Sequence, residues 1–288
     1  MATTIPCAFA GLLRNVELTT LQATTASTRQ QNVRDAVKND LRILEDFLIG
    51  SCRRGTMIAP LNTADIDVFL VLDPKHYSPN GQASLLDATR RALLKTYTRT
   101  PRVSRNGQAV TITFSDFEVD VVPGFYRTGG GFLIPDSVLN RWIETDPKRH
   151  IEIWSGENKA HDGNLVPLIK MMKCWNRAHS QLLRSFHLET LTLTVLKGIR
   201  ISDFSSGVRF VLDKARETVK TTIPDPAGYP GALGGYLNTR EKLDAVLSRL
   251  DAALNQAREA ERFASNGNIR ASIEKWRVLF GDFFPAYG

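Results

Sequence analysis

Several residue types are scarce in this chain of 288 residues, and each scarcity narrows the class of protein. There are three cysteines, which lie far apart, and five scattered histidines. An odd, dispersed set of cysteines does not suit a disulfide framework and favours a reducing cytoplasm. The chain also has no run of cysteines and histidines with the spacing of zinc ligands, so we expect no zinc site. No apolar run approaches the roughly 20 residues needed to span a bilayer. The first residues carry little positive charge, so we expect no signal peptide.

The charge balance of the chain is basic, with a formal net charge of +7. Such a balance suits ligands that are rich in phosphate, and a nucleotide cleft explains it as well as nucleic acid does. The basic residues are dispersed along the chain, and we find no strong motif that reads DNA or RNA. A nucleic-acid activator is therefore not indicated.

The stretch after residue 64 places two carboxylates on one predicted strand. Asp65 and Asp67 alternate with Ile66 and precede an apolar run that ends at Leu72. Because the side chains of a strand alternate between its faces, both acids point the same way while Ile66 points into the core. Two carboxylates that lie close repel each other unless a cation sits between them. The pattern therefore predicts a cation site on this strand.

A Gly-Ser turn comes shortly before this strand. Gly50 follows a predicted helix over residues 33–49 and suits a helix end, because glycine accepts a positive φ. The turn exposes backbone N–H groups, and the Ser51 hydroxyl can reach a phosphate oxygen. Gly50 and Ser51 are therefore predicted to bind substrate.

A second apolar run, over residues 119–123, carries one further acid. Asp120 lies between two valines, as a ligand on a buried strand would, whereas Glu118 lies nearer the start of the strand and competes for the same role. Mg²⁺ prefers hard oxygen ligands and binds few protein carboxylates. Asp65, Asp67 and Asp120 would complete a site for two Mg²⁺ ions roughly 3.5–4 Å apart, with Mn²⁺ as a possible substitute.

Together these motifs resemble the DNA polymerase β-type nucleotidyltransferase superfamily. Within that superfamily, one branch has a similar series of motifs. In this chain the series is Gly50-Ser51, Asp65-Ile66-Asp67 and Val119-Asp120-Val121. That branch holds oligoadenylate synthases, cyclic GMP-AMP synthase and the bacterial cyclic-oligonucleotide synthases of anti-phage CBASS systems (CD-NTases). The resemblance covers the chain from about residue 33 to its end. It implies catalysis by the three acids, with Asp120 also helping to deprotonate the attacking ribose hydroxyl.

The second half of the chain adds motifs of the same branch. Residues 168–176 resemble the helix whose lysine grips the triphosphate in the family, which gives that role to Lys173. The run Ser185-Phe186-His187 is similar to a Ser-aromatic-His motif whose serine contacts the phosphates, so Ser185 is predicted to bind substrate. Residues 276–285 resemble the tail of the bacterial enzymes.

The resemblance implies a synthase of cyclic di- or oligonucleotide second messengers that uses nucleoside triphosphates and releases pyrophosphate. Two alternatives stay open: a linear product, as oligoadenylate synthases or terminal nucleotide-adding enzymes make, and a catalytically silent binding module. In some CBASS operons an E1/E2-like partner joins the C-terminal carboxylate of the synthase to a target, and here Gly288 would be the residue joined. The chain departs from the branch at Cys52, where an aromatic residue is usual. It also lacks the zinc ribbon of the animal DNA sensor, so DNA-triggered activation is not expected.

The order of predicted elements favours an α+β fold. We expect a polymerase β-like core, a mixed sheet flanked by helices, over residues 1–160, and a helical lobe over residues 161–288, with the active site in the cleft between them. Periodicity and capping residues predict helices at 83–97, 165–178, 186–201, 206–222 and 269–280, a long helix capped by Thr239, and strands at 102–105, 109–114 and 117–122.

Overall fold

The computed structural model describes residues 2–60, 65–100 and 102–288 and divides the chain into two compact units. We call Leu18–Glu152 the sheet unit, and Met1–Glu17 together with Ile153–Gly288 the helical unit. This division differs from the predicted boundary at residue 160, because the sheet unit ends earlier and the first helix belongs with the C-terminal half. Aromatic packing is the physical reason: the ring of Phe9 lies 5.0 Å from that of Trp276.

The sheet unit is built on one mixed sheet, in which helices separate the first three strands and the strands of residues 102–145 follow one another directly. Its elements in chain order are α2 (Thr20–Lys38), β1 (Ile43–Leu48), α3 (Gly50–Arg53), β2 (Asp65–Leu72), a 3₁₀ turn (Pro74–His76), α4 (Gln82–Thr96), β3 (Arg102–Asn106), β4 (Ala109–Thr113), β5 (Glu118–Tyr126), β6 (Phe132–Asp136) and β7 (Arg141–Thr145). Helix α5 (Pro147–Ala160) begins in this unit, and its residues from Ile153 onward belong to the helical unit.

The main part of the sheet has the strand order β1-β2-β5-β4-β3, and β6 and β7 extend it from β5. Strands β2 and β5 are parallel, while β4 pairs antiparallel with β5. On one face of β2 and β5, fully buried side chains such as Ile66 and Val119 join the main core. The other face carries a smaller cluster around Phe69, whose ring stacks on Phe47 with 5.1 Å between centroids. The acids of β2 and β5 alternate with the core residues and therefore lie on this second face.

Residues 43–48 form a strand where the sequence predicts the end of a helix. Helix α2 ends at Lys38, and β1 begins at Ile43 and pairs antiparallel with β2. The apolar spacing of this segment fits a helix, but pairing with β2 satisfies its backbone groups and sets Phe47 opposite Phe69. The predicted helix over residues 33–49 is therefore wrong in its second half.

The helical unit follows the sequence pattern closely. It contains α1 (Ile5–Val16), α6 (Leu165–Ala178), α7 (Ser185–Leu196), α8 (Phe204–Thr218), α9 (Arg240–Ser265), α10 (Ile269–Phe280) and a 3₁₀ turn (Gly281–Phe283). The predicted bounds of α6 and α10 are confirmed. Thr239 caps α9 as predicted, because its hydroxyl accepts a hydrogen bond from the backbone N–H of Lys242 at 3.4 Å. Among the described helices, none is both long and apolar enough to cross a membrane.

Candidate active site

The parallel pairing of β2 and β5 brings the predicted acids into one register. Asp67 lies opposite Asp120, and Asp65 lies opposite Glu118. Since the members of each strand are two residues apart, all four carboxylates lie on the same face of the sheet. The structure therefore brings together the two acid motifs that the sequence predicts, and it places Glu118, the competing acid, in the row of Asp65.

The local sequence explains why these acids face away from the main core. Ile66 and Val68 on β2, and Val119 and Val121 on β5, are fully buried. A slip of one residue in either strand would exchange these side chains for carboxylates, so burial of the apolar set determines which face carries the acids.

Gly50 lies directly against the sheet face that carries Asp65, Asp67, Glu118 and Asp120, which we call the acid face. It has a φ of +64°, and a Cβ on this residue would lie 1.8 Å from Oδ2 of Asp67. The backbone N–H of Ile49 also donates to the carbonyl oxygen of Asp67 at 2.9 Å. A glycine is therefore required at this position for two reasons: the φ is positive, and the Asp67 carboxylate occupies the space that a Cβ would need.

Ser51 lies in the short helix α3, directly after Gly50, and its side chain is half-buried. Its carbonyl oxygen accepts from the backbone N–H of Thr56 at 2.9 Å and of Met57 at 3.1 Å, which folds the following loop back onto the turn. Burial, followed by the negative charge of Asp67, raises the pKa of the neighbouring Cys52 thiol. Contact of the Ser51 hydroxyl with phosphate stays a prediction.

The acids lie in an electrostatically unfavourable arrangement. Desolvation raises the pKa of Asp65, and the negative charges of Asp120 and Glu118 raise it further. Desolvation also raises the pKa of Asp120, the hydrogen bond from Thr111 lowers it, and the charge of Glu118 raises it. For Asp65 all these effects act in the same direction, so a cation placed among the carboxylates would relieve them.

Carboxylate oxygens gathered on one face of the sheet are the hard donors that Mg²⁺ prefers, and such ions take their remaining ligands from water and substrate phosphates. The residues therefore fit a divalent cation by their chemistry. Within residues 2–60, 65–100 and 102–288, no three His, Cys, Asp or Glu side chains form a ready-made metal cluster. Metal binding by Asp65, Asp67 and Asp120 accordingly stays a prediction.

Two hydroxyl groups that we did not predict contact the acids of β5. Thr111 Oγ1 donates to Oδ1 of Asp120 at 2.5 Å, and Thr113 Oγ1 donates to Oε1 of Glu118 at 2.7 Å. Both threonines lie on β4, directly opposite their partners. Their spacing of two, on a strand joined to β5 by a short connection, is the signal from which they could have been found.

The helical unit places Lys173 in a different setting from the predicted one. Its Nζ lies 3.1 Å from Oε1 of Glu189, and the side chains are 8% and 0% exposed. Lys170, one turn earlier on α6, bonds Glu17 at 2.7 Å. Lys173 thus serves a buried ion pair in the helical unit, and its contact with a triphosphate stays a prediction.

Ser185 is the exposed first residue of α7. Beside it, the hydroxyl oxygen of Tyr236 accepts from the backbone N–H of Arg184 at 2.9 Å and lies 2.9 Å from Nδ1 of His187. Tyr236 therefore ties the Pro/Gly-rich loop before α9 to the start of α7. The sequence pattern did not reveal this contact, because the two segments are far apart in the chain.

Comparison with solved structures defines the fold. The chain matches Escherichia coli MS115-1 CdnC solved with ATP, at 20% identity and a TM-score of 0.77, over 98% of this chain and 99% of that chain. It matches a complex of CdnC with HORMA-deltaN at 19% identity and a TM-score of 0.77, over 98% of each chain. The fold is thus the α+β nucleotidyltransferase fold with a helical C-terminal region, as predicted.

Comparison with protein families then identifies the chain. The model for the Second Messenger Oligonucleotide or Dinucleotide Synthetase (SMODS) domain matches residues 4–158, so the chain belongs to that family. It is also 28% identical, over 294 residues, to a cyclic AMP-AMP-AMP synthase from an Acinetobacter strain, covering 96% of this chain and 84% of that protein. The predicted class, a nucleotidyltransferase of the cyclic-oligonucleotide synthase group, is confirmed.

Proposed function

We propose that this chain joins nucleoside triphosphates into a cyclic oligonucleotide by nucleotidyl transfer at the acid face of the sheet unit, as a second messenger of anti-phage defence. The observation that carries the proposal is the register of β2 and β5, which sets Asp67 opposite Asp120. Gly50 lies against the Asp67 carboxylate, where a Cβ would clash with Oδ2.

In this proposal Asp65, Asp67 and Asp120 hold two divalent cations, Mg²⁺ or Mn²⁺. When bound, the cations lower the pKa of a ribose hydroxyl and offset charge on the triphosphate. Asp120 helps to take the proton from that hydroxyl, whose oxygen attacks the α-phosphorus of a second nucleoside triphosphate as pyrophosphate leaves. A further transfer closes the ring: a ribose hydroxyl of the linear intermediate attacks the α-phosphorus of its own 5′-triphosphate, and another pyrophosphate leaves. Gly50 and Ser51 bind the phosphates in this proposal, and the contacts of Lys173 and Ser185 with phosphate stay predictions from the family resemblance.

The proposal includes an accessory partner and a cytoplasmic location. CdnC, a structural relative, has been solved in complex with HORMA-deltaN. For this chain we propose an E1/E2-like conjugating enzyme that acts on Gly288. The backbone N–H of Gly288 donates to the carbonyl oxygen of Ala2 at 3.3 Å, so the last residues would have to leave this contact during conjugation. Free, dispersed cysteines suit the cytoplasm.

The test is incubation of the purified chain with each labelled nucleoside triphosphate and with mixtures of them, in Mg²⁺ or Mn²⁺, followed by mass spectrometry. ATP is the first substrate to test, because the Acinetobacter relative is a cyclic AMP-AMP-AMP synthase. We expect pyrophosphate release and a product that phosphatase does not shorten, because a ring has no terminal phosphate. A phosphatase-sensitive product would establish a linear synthase instead. Metal-dependent turnover absent under every condition would contradict both enzymatic functions.

A further inference from the structure

The pairing of three neighbouring strands arranges the acid face in rows. The first row runs from Asp67 on β2 to Asp120 on β5 and Thr111 on β4. Neighbouring strands lie about 4.8 Å apart, so each member of a row is within reach of the next. Asp120 is thus the middle member, with a carboxylate on one side and a hydroxyl on the other.

The second row is parallel to the first and contains Asp65, Glu118 and Thr113. The two rows have the same plan, a β2 acid, a β5 acid and a β4 threonine, but they differ in the length of the β5 side chain. The Glu118 carboxylate reaches Thr113 at 2.7 Å. Each β5 acid is therefore held within its own row by its own threonine.

The hydroxyl of Thr111 binds one oxygen of Asp120 and leaves the other available. Thr111 is only 5% exposed, and its Oγ1 donates to Oδ1 at 2.5 Å. A hydroxyl that is buried in this way has little access to water, so the bond to Asp120 satisfies a donor that would otherwise be unpaired. This bond restricts rotation of the carboxylate and leaves Oδ2 as the oxygen that can take a new ligand.

We propose that Thr111 is a positioning residue for nucleotidyl transfer, which holds Oδ1 of Asp120 so that Oδ2 is directed to the cation and the ribose hydroxyl. Thr113 makes the same kind of contact with Glu118 in the second row, and Asp120 is preferred as the third acid because it lies opposite Asp67. The inference rests on the proposed function. Hydrogen-bond partners of metal-ligating groups typically contribute about 10–100-fold to metal affinity or activity.

The test compares Thr111→Val with Thr113→Val, because both changes remove one hydroxyl from the same strand and face while keeping the β-branched shape. We expect Thr111→Val to lower kcat by about 10–100-fold and to weaken Mn²⁺ binding without nucleotide, measured by electron paramagnetic resonance, by a similar factor. KM for the nucleoside triphosphate should change little. Thr113→Val should have a kcat and an Mn²⁺ affinity close to those of the wild type. Thr111→Ser, which keeps the hydroxyl, should restore kcat and Mn²⁺ affinity.

Circular dichroism and thermal unfolding establish that each variant is folded, and Thr111→Ala replaces the valine variant if that one does not fold. The inference is overturned if Thr111→Val has the kcat and Mn²⁺ affinity of the wild type, or if both valine variants lose kcat and Mn²⁺ affinity to the same extent. It is also overturned if kcat and Mn²⁺ affinity are as low in Thr111→Ser as in Thr111→Val. Mn²⁺ binding does not need turnover, so it separates the two proposals. A wild type that forms no product, with weakened Mn²⁺ binding in Thr111→Val alone, would contradict the function and support the positioning of Asp120.

Discussion

The two units arrange their charged side chains differently: like charges are clustered in the sheet unit, and opposite charges are paired in the helical unit. On the sheet unit, desolvation and the like charges of Asp120 and Glu118 raise the pKa of Asp65. In the helical unit, the charges of Lys173 and Glu189 offset each other in a buried ion pair. Clustered carboxylates can bind a cation from solution, whereas a buried pair of opposite charges serves the fold. The comparison separates residues whose loss should affect activity from residues whose loss should affect stability.

Removing an acid from the first row should have the largest effect on activity. We expect Asp67→Asn to lower product formation by about 10³-fold or more, because bound cations stabilise the charge of the transition state by several kcal/mol and Asp67 is one of their proposed ligands. Release of pyrophosphate and mass spectrometry of the product measure this loss. Asp87→Asn is the control, since Asp87 is a half-exposed acid of the same unit that pairs with Arg105. An active Asp67→Asn protein would remove the first row from the mechanism.

A methyl group at Gly50 should disturb the same row without changing its charge. Gly50→Ala places a Cβ where Oδ2 of Asp67 lies, and displacement by about 1 Å can lower a rate about 10²-fold. Gly107→Ala is the matched control: Gly107 has a φ of +61°, but a Cβ there meets nothing within 4 Å. Both variants should lose about 1–2 kcal/mol of stability to the left-handed backbone. Equal activity in the two variants would show that the contact with Asp67 is unimportant.

The opposite pattern is expected in the helical unit. Lys173→Met leaves the Glu189 carboxylate, which is 0% exposed, without this partner. Breaking a buried pair in this way typically costs about 3–5 kcal/mol, measurable by denaturant unfolding. Lys170→Met should cost less, because its partner Glu17 is 53% exposed and can be solvated. A Lys173→Met protein with the stability of the wild type but no activity would favour the predicted phosphate contact over the structural role.

The smallest expected effect is a change of stability with pH. The folded-state pKa of Asp65 is raised above its ordinary value, so the charged form destabilises the fold at neutral pH. This penalty is present above the raised pKa and disappears as the pH falls below the ordinary pKa. Asp65→Asn should therefore raise the melting temperature slightly at pH 7, and the gain over the wild type should shrink as the pH falls. Mg²⁺ should stabilise the wild type more than Asp65→Asn. A gain that grows on acidification would contradict the sign of the pKa shift.

Much of the helical unit could be predicted because its helices follow local periodicity. The bounds of α6 and α10 and the cap at Thr239 depend on residues within a few positions of one another. Strand β1 could not be predicted in the same way, since its partner β2 lies beyond a turn and a loop. The membership of α1 in the helical unit depends likewise on Phe9 meeting Trp276 near the other end of the chain.

Local sequence is enough to establish that Asp65 and Asp67 share a face, that Asp120 lies on another apolar strand, and that a glycine precedes them. Alternation along a strand follows from backbone geometry and needs no knowledge of distant residues. The position of Asp120 between Asp67 and Thr111, and the pairing of Lys173 with Glu189, are visible only in the folded chain. Register between strands and pairing between helices depend on which side chains are buried together, and that is a property of the whole core.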